Sequence, residues 1–323
     1  MTNCKRILVT TGDVDGIGLE VTAKALAALG PQKNAQFIIY RSNKSSEKSL
    51  VKLNASFQRL VVSDLATALA LTPQKKQLIE ISDSRSPALW VEEAARACLE
   101  KKVDSMVTGP LSKQEIQKAG FSDIGHTDIL KRISQKKTAF MCFLGERFNV
   151  ILTTGHISTS DIEKSLTREL LSEVLNLSLK TRSILSKSQQ KKSVAVLGLN
   201  PHAGDQGLIG KFDEDLLRPL LKAQSKVART RSSFEGPLVP DVAFLPENWK
   251  KYSFFVAQYH DQGLIPFKMI HGFDSGVHLT LGLPIKRSSV DHGTAKNIFG
   301  QNKANPGSMI QALQWGIKLC TKM

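Results

Sequence analysis

The chain has 323 residues, 41% of them hydrophobic and 23% charged; this ordinary balance excludes a disordered or fibrous protein and leaves room for two lobes with large buried interiors. Its formal net charge of +15 suits anionic partners, but the lysines are dispersed and only three tyrosines and three tryptophans could stack on bases. Small phosphorylated ligands are therefore expected rather than nucleic acid, and no apolar run approaches the roughly 18 residues of a membrane span.

The amino terminus runs into a strand-like stretch without a signal-peptide hydrophobic region, so a cytoplasmic location is expected. Cys4, Cys98, Cys142 and Cys320 form no Cys-x-x-Cys pair, which argues against a zinc ribbon or disulfide framework. Arg6–Thr11 is a β-branched apolar run that breaks at Gly12-Asp13-Val14-Asp15-Gly16-Ile17-Gly18 before a helix from Leu19 to Leu29. Glycines there suit either a tight turn or a close approach to an anion. Phe37–Tyr40, Leu60–Val62, Leu78–Ile81 and Ser105–Thr108 read as further strands. A helix is expected from Pro87 to Lys101, capped by Ser86, with Leu89, Ala94, Ala97 and Cys98 inward. Alternating strands and helices imply an α/β fold with a largely parallel sheet covered on both faces, whose ligands gather beyond the carboxyl ends of the strands.

Lys113–Ala119 is helical, and Gly125-His126-Thr127 follows, where Thr127 suits a helix cap. Thr138–Leu144 and Phe148–Thr153 form a hairpin whose second strand runs into His156. Helical sequence over Ser160–Leu185 is interrupted near Thr167. Val194–Leu197 opens into Asn200-Pro201-His202, helical residues 213–223 follow, and Phe254–Gln258 delivers His260. Three histidines thus follow three strands. Their spacing carries no local metal signature, although three neutral imidazoles would suit a divalent metal with an open position. The stretch from Tyr259 to Thr294 concentrates imidazoles, carboxylates, Lys268 and Arg287 between apolar runs, as the wall of an active site does.

Thr11-Gly12-Asp13, Gly16-Ile17-Gly18, Val107-Thr108-Gly109-Pro110, Gly125-His126-Thr127, Gly198-Leu199-Asn200-Pro201-His202-Ala203-Gly204, Tyr259-His260-Asp261-Gln262-Gly263 and Ser289-Val290-Asp291-His292-Gly293-Thr294-Ala295 recur in order along the chain. Together they resemble the 4-hydroxythreonine-4-phosphate dehydrogenase (PdxA) family of vitamin B6 biosynthesis. The resemblance implies two α/β/α lobes with a central cleft, related to isocitrate and isopropylmalate dehydrogenases. It also implies a homodimer with its active site at the interface and metal ligands from both subunits. The expected lobes are 1–130 with 275–323 on the cofactor side, and 131–274 carrying metal ligands and dimer contacts.

By the same resemblance, His156, His202 and His260 hold a divalent metal (zinc, magnesium or cobalt). His126, Thr127, Lys268, His278 and Arg287 contact substrate, and His292, Gly293 and Asn305 contact NAD or NADP. Asp261 would orient an imidazole or move a proton, with Asp241 a further catalytic candidate. The implied reaction oxidises 4-phosphooxy-L-threonine to a β-keto acid that decarboxylates to 3-amino-2-oxopropyl phosphate. His278 stands where the family has asparagine, and Thr11, Val14 and Asp15 depart from the family's first turn. Two other readings stay open: a dehydrogenase of phosphothreonate or phosphoerythronate, and a basic nucleic-acid-binding protein.

Overall fold

In the computed structural model, which describes residues 4–227, 233–272 and 275–322, the apolar runs become strands. In chain order these are β1 (Lys5–Thr10), β2 (Ala35–Ser42), β3 (Gln58–Val62), β4 (Gln77–Asp83), β5 (Ser105–Thr108) and β6 (Phe140–Leu144). They continue with β7 (Asn149–Leu152), β8 (Val194–Leu197), β9 (Phe234–Leu238), β10 (Phe254–Ala257), β11 (Val277–Leu281) and β12 (Arg287–Val290). The chain divides into two units, Met1–Ala139 with Phe273–Met323, and Phe140–Gly272. The first three residues and the expected lobe boundary at 274 lie outside the described residues.

Within the first unit the strands are ordered β3-β4-β2-β1-β5-β12-β11, parallel except for β11 against β12. Every residue of β2 and β5 is buried, as expected of parallel strands covered on both faces. The helix Pro87–Leu99 starts where Ser86 accepts the Ala88 N–H and proline occupies the first turn, and it buries Trp90, Val91, Ala94 and Cys98. Leu89, expected inward, is only half-buried; Trp90 takes the core and stacks on Tyr40 with ring centroids 5.8 Å apart.

The second unit is ordered β6-β7-β10-β8-β9, with β6 and β7 an antiparallel hairpin and the rest parallel. Its core gathers Phe148, Val150, Phe255 and Phe267 among other apolar side chains. The helix His260–His271 lies close on β7 and β10 because Gly263 is bare there. A Cβ on Gly263 would stand 2.7 Å from side-chain carbons of Val150 and Leu152 and 3.0 Å from the Ala257 Cβ. Thr167 does interrupt the helical stretch before β8, accepting the Leu170 N–H to start the helix Arg168–Thr181.

Candidate active site

The loops carrying the three histidines leave the carboxyl ends of β7, β10 and β8, which are neighbouring parallel strands in that order. This is where an open α/β sheet presents ligand-binding side chains, since the strands end there and the covering helices have not begun. His156 and His260 have ring centroids 5.0 Å apart, tilted by 43°. Asp261 accepts or shares a proton with His260 Nδ1 at 2.7 Å, a contact that leaves Nε2 as the ring nitrogen available to a ligand. His202 lines an adjoining cavity with Asp241, Tyr259 and Gln262, while His156, His260 and Asp261 line the next one; Tyr259 borders both.

Side chains with no role assigned from sequence hold these loops. Gln262 accepts the Gln258 N–H and donates to the Gly198 carbonyl, both at 2.7 Å, tying the end of β10 to the end of β8. Thr154 donates to the Gln258 carbonyl at 2.8 Å and ties β7 to the same place. Asp213, fully buried, accepts the Leu199 N–H at 2.7 Å and the Asn200 N–H at 3.0 Å. Beyond this anchor, six consecutive residues from His202 to Gly207 have positive φ, and only Gly204 and Gly207 among them lack a Cβ. Left-handed backbone costs about 1 kcal/mol or more per non-glycine residue, so this segment is held rather than preferred.

Lys268 lies on the helix His260–His271, eight residues beyond His260. That spacing corresponds to about 12 Å along the axis, so within one chain Lys268 is not a neighbour of His260 at the helix start.

The other unit presents a polar patch on one sheet face. Register pairs Thr10 with Thr108, Thr108 with Ser289, Ser289 with His278, and Arg287 with Thr280. Arg287 is 3% exposed. Its Nε and Nη2 donate to Thr108 Oγ1 at 3.0 and 2.8 Å, and Nη1 donates to Thr280 Oγ1 at 2.8 Å. Burial pulls its pKa down to about 9, so the guanidinium remains cationic at neutral pH. His126 opens the helix His126–Ser134. Burial first, and the charge of Arg287 second, hold its imidazole well below the usual range, and its Nε2 has no hydrogen-bond partner among the described residues. Thr127 does not cap this helix; Gly125 takes the cap position in extended backbone and Thr127 lies in the first turn. His278 is buried beside these hydroxyls on β11.

The loop from His292 packs on the first glycine turn. Ile17 donates to the Thr294 carbonyl at 3.0 Å, and Lys296 bridges Asp15 at 2.8 Å and Asp13 at 3.3 Å. His292 Nδ1 meets the Gly293 carbonyl at 2.9 Å. Asn305 accepts the Gly307 N–H at 2.8 Å, a local turn at the start of the helix Gly307–Lys322. Glu20 and Lys24 fix the same segment through the Ala304 N–H and carbonyl, both at 2.8 Å.

The family model for pyridoxal phosphate biosynthetic protein PdxA matches residues 8–316. The chain belongs to the PdxA family. A 4-hydroxythreonine-4-phosphate dehydrogenase of Sulfurihydrogenibium sp. is 36% identical over 97% of this chain and 98% of its own length. The solved 4-hydroxythreonine-4-phosphate dehydrogenase of Klebsiella pneumoniae is 27% identical, with a TM-score of 0.77 over 98% of both chains. The isocitrate dehydrogenase of Methylococcus capsulatus, 13% identical with a TM-score of 0.54, shares the fold over 98% of this chain and 86% of its own. The PdxA chain thus has the isocitrate dehydrogenase-like α/β fold.

His156 and His260 approach each other and Asp261 stands behind one of them, but among the described residues no group of three or more His, Cys, Asp or Glu is arranged to hold an ion. His202 lines the adjoining cavity, which shares Tyr259 with theirs. No helix among the described residues is long and apolar enough to cross a membrane.

Proposed function

We propose that this protein oxidises 4-phosphooxy-L-threonine with NAD or NADP, in the pathway to pyridoxal 5'-phosphate, as a homodimer that needs a divalent cation. The observation that carries the reading is three histidine loops at the ends of adjacent parallel strands, in a chain matched by the PdxA family over residues 8–316. His156, His202 and His260 would hold the ion, with ligands contributed by two subunits. Exposed Ile265, Met269 and Ile270 on the helix that carries His260 and Lys268 support such pairing, since an apolar stripe of this kind favours burial against a partner. The bound cation supplies Lewis acidity toward substrate oxygen.

The protein's own groups do the rest. Arg287, Lys268, His126 and Thr127 bind and orient the anionic substrate, Arg287 by its fork and Lys268 as a point charge. The His292-Gly293 loop and Asn305 would hold the nicotinamide cofactor, which would serve as acceptor for the hydride of the carbinol carbon. The hydroxyl proton passes to a carboxylate, for which Asp241 is available because Asp261 is engaged with His260. The β-keto acid then loses carbon dioxide, and the carbon left behind takes a proton from solvent to give 3-amino-2-oxopropyl phosphate.

His278 supports a second reading. A buried imidazole replaces the family asparagine beside the polar patch, and its one acceptor and one donor suit a substrate hydroxyl as well as an amine. NADH or NADPH formation measured in parallel with 4-phosphooxy-L-threonine, 4-phosphothreonate and 4-phosphoerythronate separates the two. Turnover confined to the amino substrate supports the first reading; turnover confined to the sugar acids overturns it in favour of the second.

A further inference from the structure

Elsewhere a buried guanidinium group has a carboxylate beside it. Arg41 is 5% exposed and meets the fully buried Glu80 at 2.7 Å, and Arg59 meets the other oxygen of the same carboxylate. Arg287 is as buried as Arg41, yet among the described residues it has no acidic partner. A buried charge left without a counter-ion is strongly unfavourable unless something supplies one.

We infer that Thr108 and Thr280 are positioning residues whose hydroxyls hold the Arg287 guanidinium with neutral acceptors, keeping its charge and its remaining N–H groups for the anionic group of the substrate. This rests on the reading that Arg287 binds substrate. Three of the five guanidinium N–H groups go to the two threonine oxygens, so one N–H on each Nη remains. An N–H on each terminal nitrogen is what a carboxylate or phosphate needs for two-point recognition.

The threonine hydroxyls are themselves oriented. Thr108 Oγ1 donates to Ser289 Oγ at 3.1 Å, and Ser289 Oγ donates to the Thr108 carbonyl at 3.2 Å. The Thr108 proton is thereby turned away, and its lone pairs face Nε and Nη2. A carboxylate at position 108 would satisfy the same N–H groups but cancel the charge. Valine would keep the shape of the side chain and remove the acceptor. Serine would keep the acceptor and remove only the methyl group. The nearby His126 Nε2, without a partner among the described residues, adds a second polar atom beside the cation.

The experiment is steady-state kinetics with 4-phosphooxy-L-threonine, NAD and a divalent cation on Arg287→Ala, Thr108→Val, Thr108→Ser and Thr280→Val, each checked for folding by thermal unfolding. Thr108→Val and Thr280→Val are expected to raise KM about tenfold or more, the loss of a hydrogen bond to a charged group, with a much smaller effect on kcat. Thr108→Ser is expected to return KM to within about twofold of wild type. If Arg287→Ala raises KM while both valine variants fold and keep a wild-type KM, the positioning role is wrong although the site reading stands. If Arg287→Ala itself leaves KM unchanged, Arg287 is not the substrate's anion site. Should Thr108→Val not fold, Thr280→Val decides the matter alone.

Discussion

Asp213 accepts both the main-chain N–H and the side-chain amide of Asn200, each at 3.0 Å. Thirteen residues apart in sequence, the two fix the loop that carries His202 before it enters its left-handed segment. Removing the carboxylate leaves three N–H groups without their acceptor in a buried setting. Asp213→Ala is therefore expected to lower unfolding free energy by about 3 kcal/mol, measured by urea denaturation. Divalent-cation affinity, read by titration calorimetry, should fall as well. A variant with wild-type stability would show that the loop does not depend on this anchor.

Acid stability has an identifiable source. His271 lies between Phe148 and Phe267, with ring centroids 4.9 and 4.3 Å away, and its Nε2 accepts the Arg147 N–H at 3.1 Å. That role requires the neutral ring with its proton on Nδ1, which faces the Phe267 carbonyl at 3.0 Å. Burial lowers its pKa from the ordinary 6.5. The unfolded chain therefore binds a proton that the folded chain refuses. The stabilising contribution is complete above pH 6.5 and is lost as pH falls from there toward the folded pKa. His126 acts in the same direction. The denaturation midpoint should drop between about pH 7 and about pH 5, and His271→Gln should flatten that slope. An unaltered slope in the variant would remove His271 as its source.

Met269 is 79% exposed on the helix that bears His260 and Lys268. If two subunits complete the metal site through this face, Met269→Glu should yield a monomer by sedimentation velocity and abolish NADH formation. Its monomer should remain folded, since an exposed substitution changes stability by about 0.5 kcal/mol or less. A monomer with full activity would sink the shared site.

Much of the fold was readable because burial on both faces leaves a continuous apolar trace. β1, β2, β5, β8 and β10 all announce themselves that way, and the three histidines follow directly from the strand ends. β9 and β12 do not. Phe-Glu-Gly-Pro-Leu contains the two residues that most weaken a strand prediction, and Arg-Ser-Ser-Val is polar although wholly buried. The burial of β12 rests on hydroxyls that bond to one another and to Arg287, a relation between strands that no local pattern carries.

Residue order and residue type alone therefore settled the α/β alternation, the three histidine loops and the family, because each is written within a run of a few residues or a string of motifs. Folding decided what those residues face. Asp213 reaches Asn200, Gln262 reaches Gly198, and Thr108 reaches Arg287 across 179 positions. A hydrogen bond depends on distance and direction in space, and sequence separation records neither. The pairing of Arg287 with neutral oxygens, on which its availability to an anion depends, exists only once β5, β11 and β12 lie side by side.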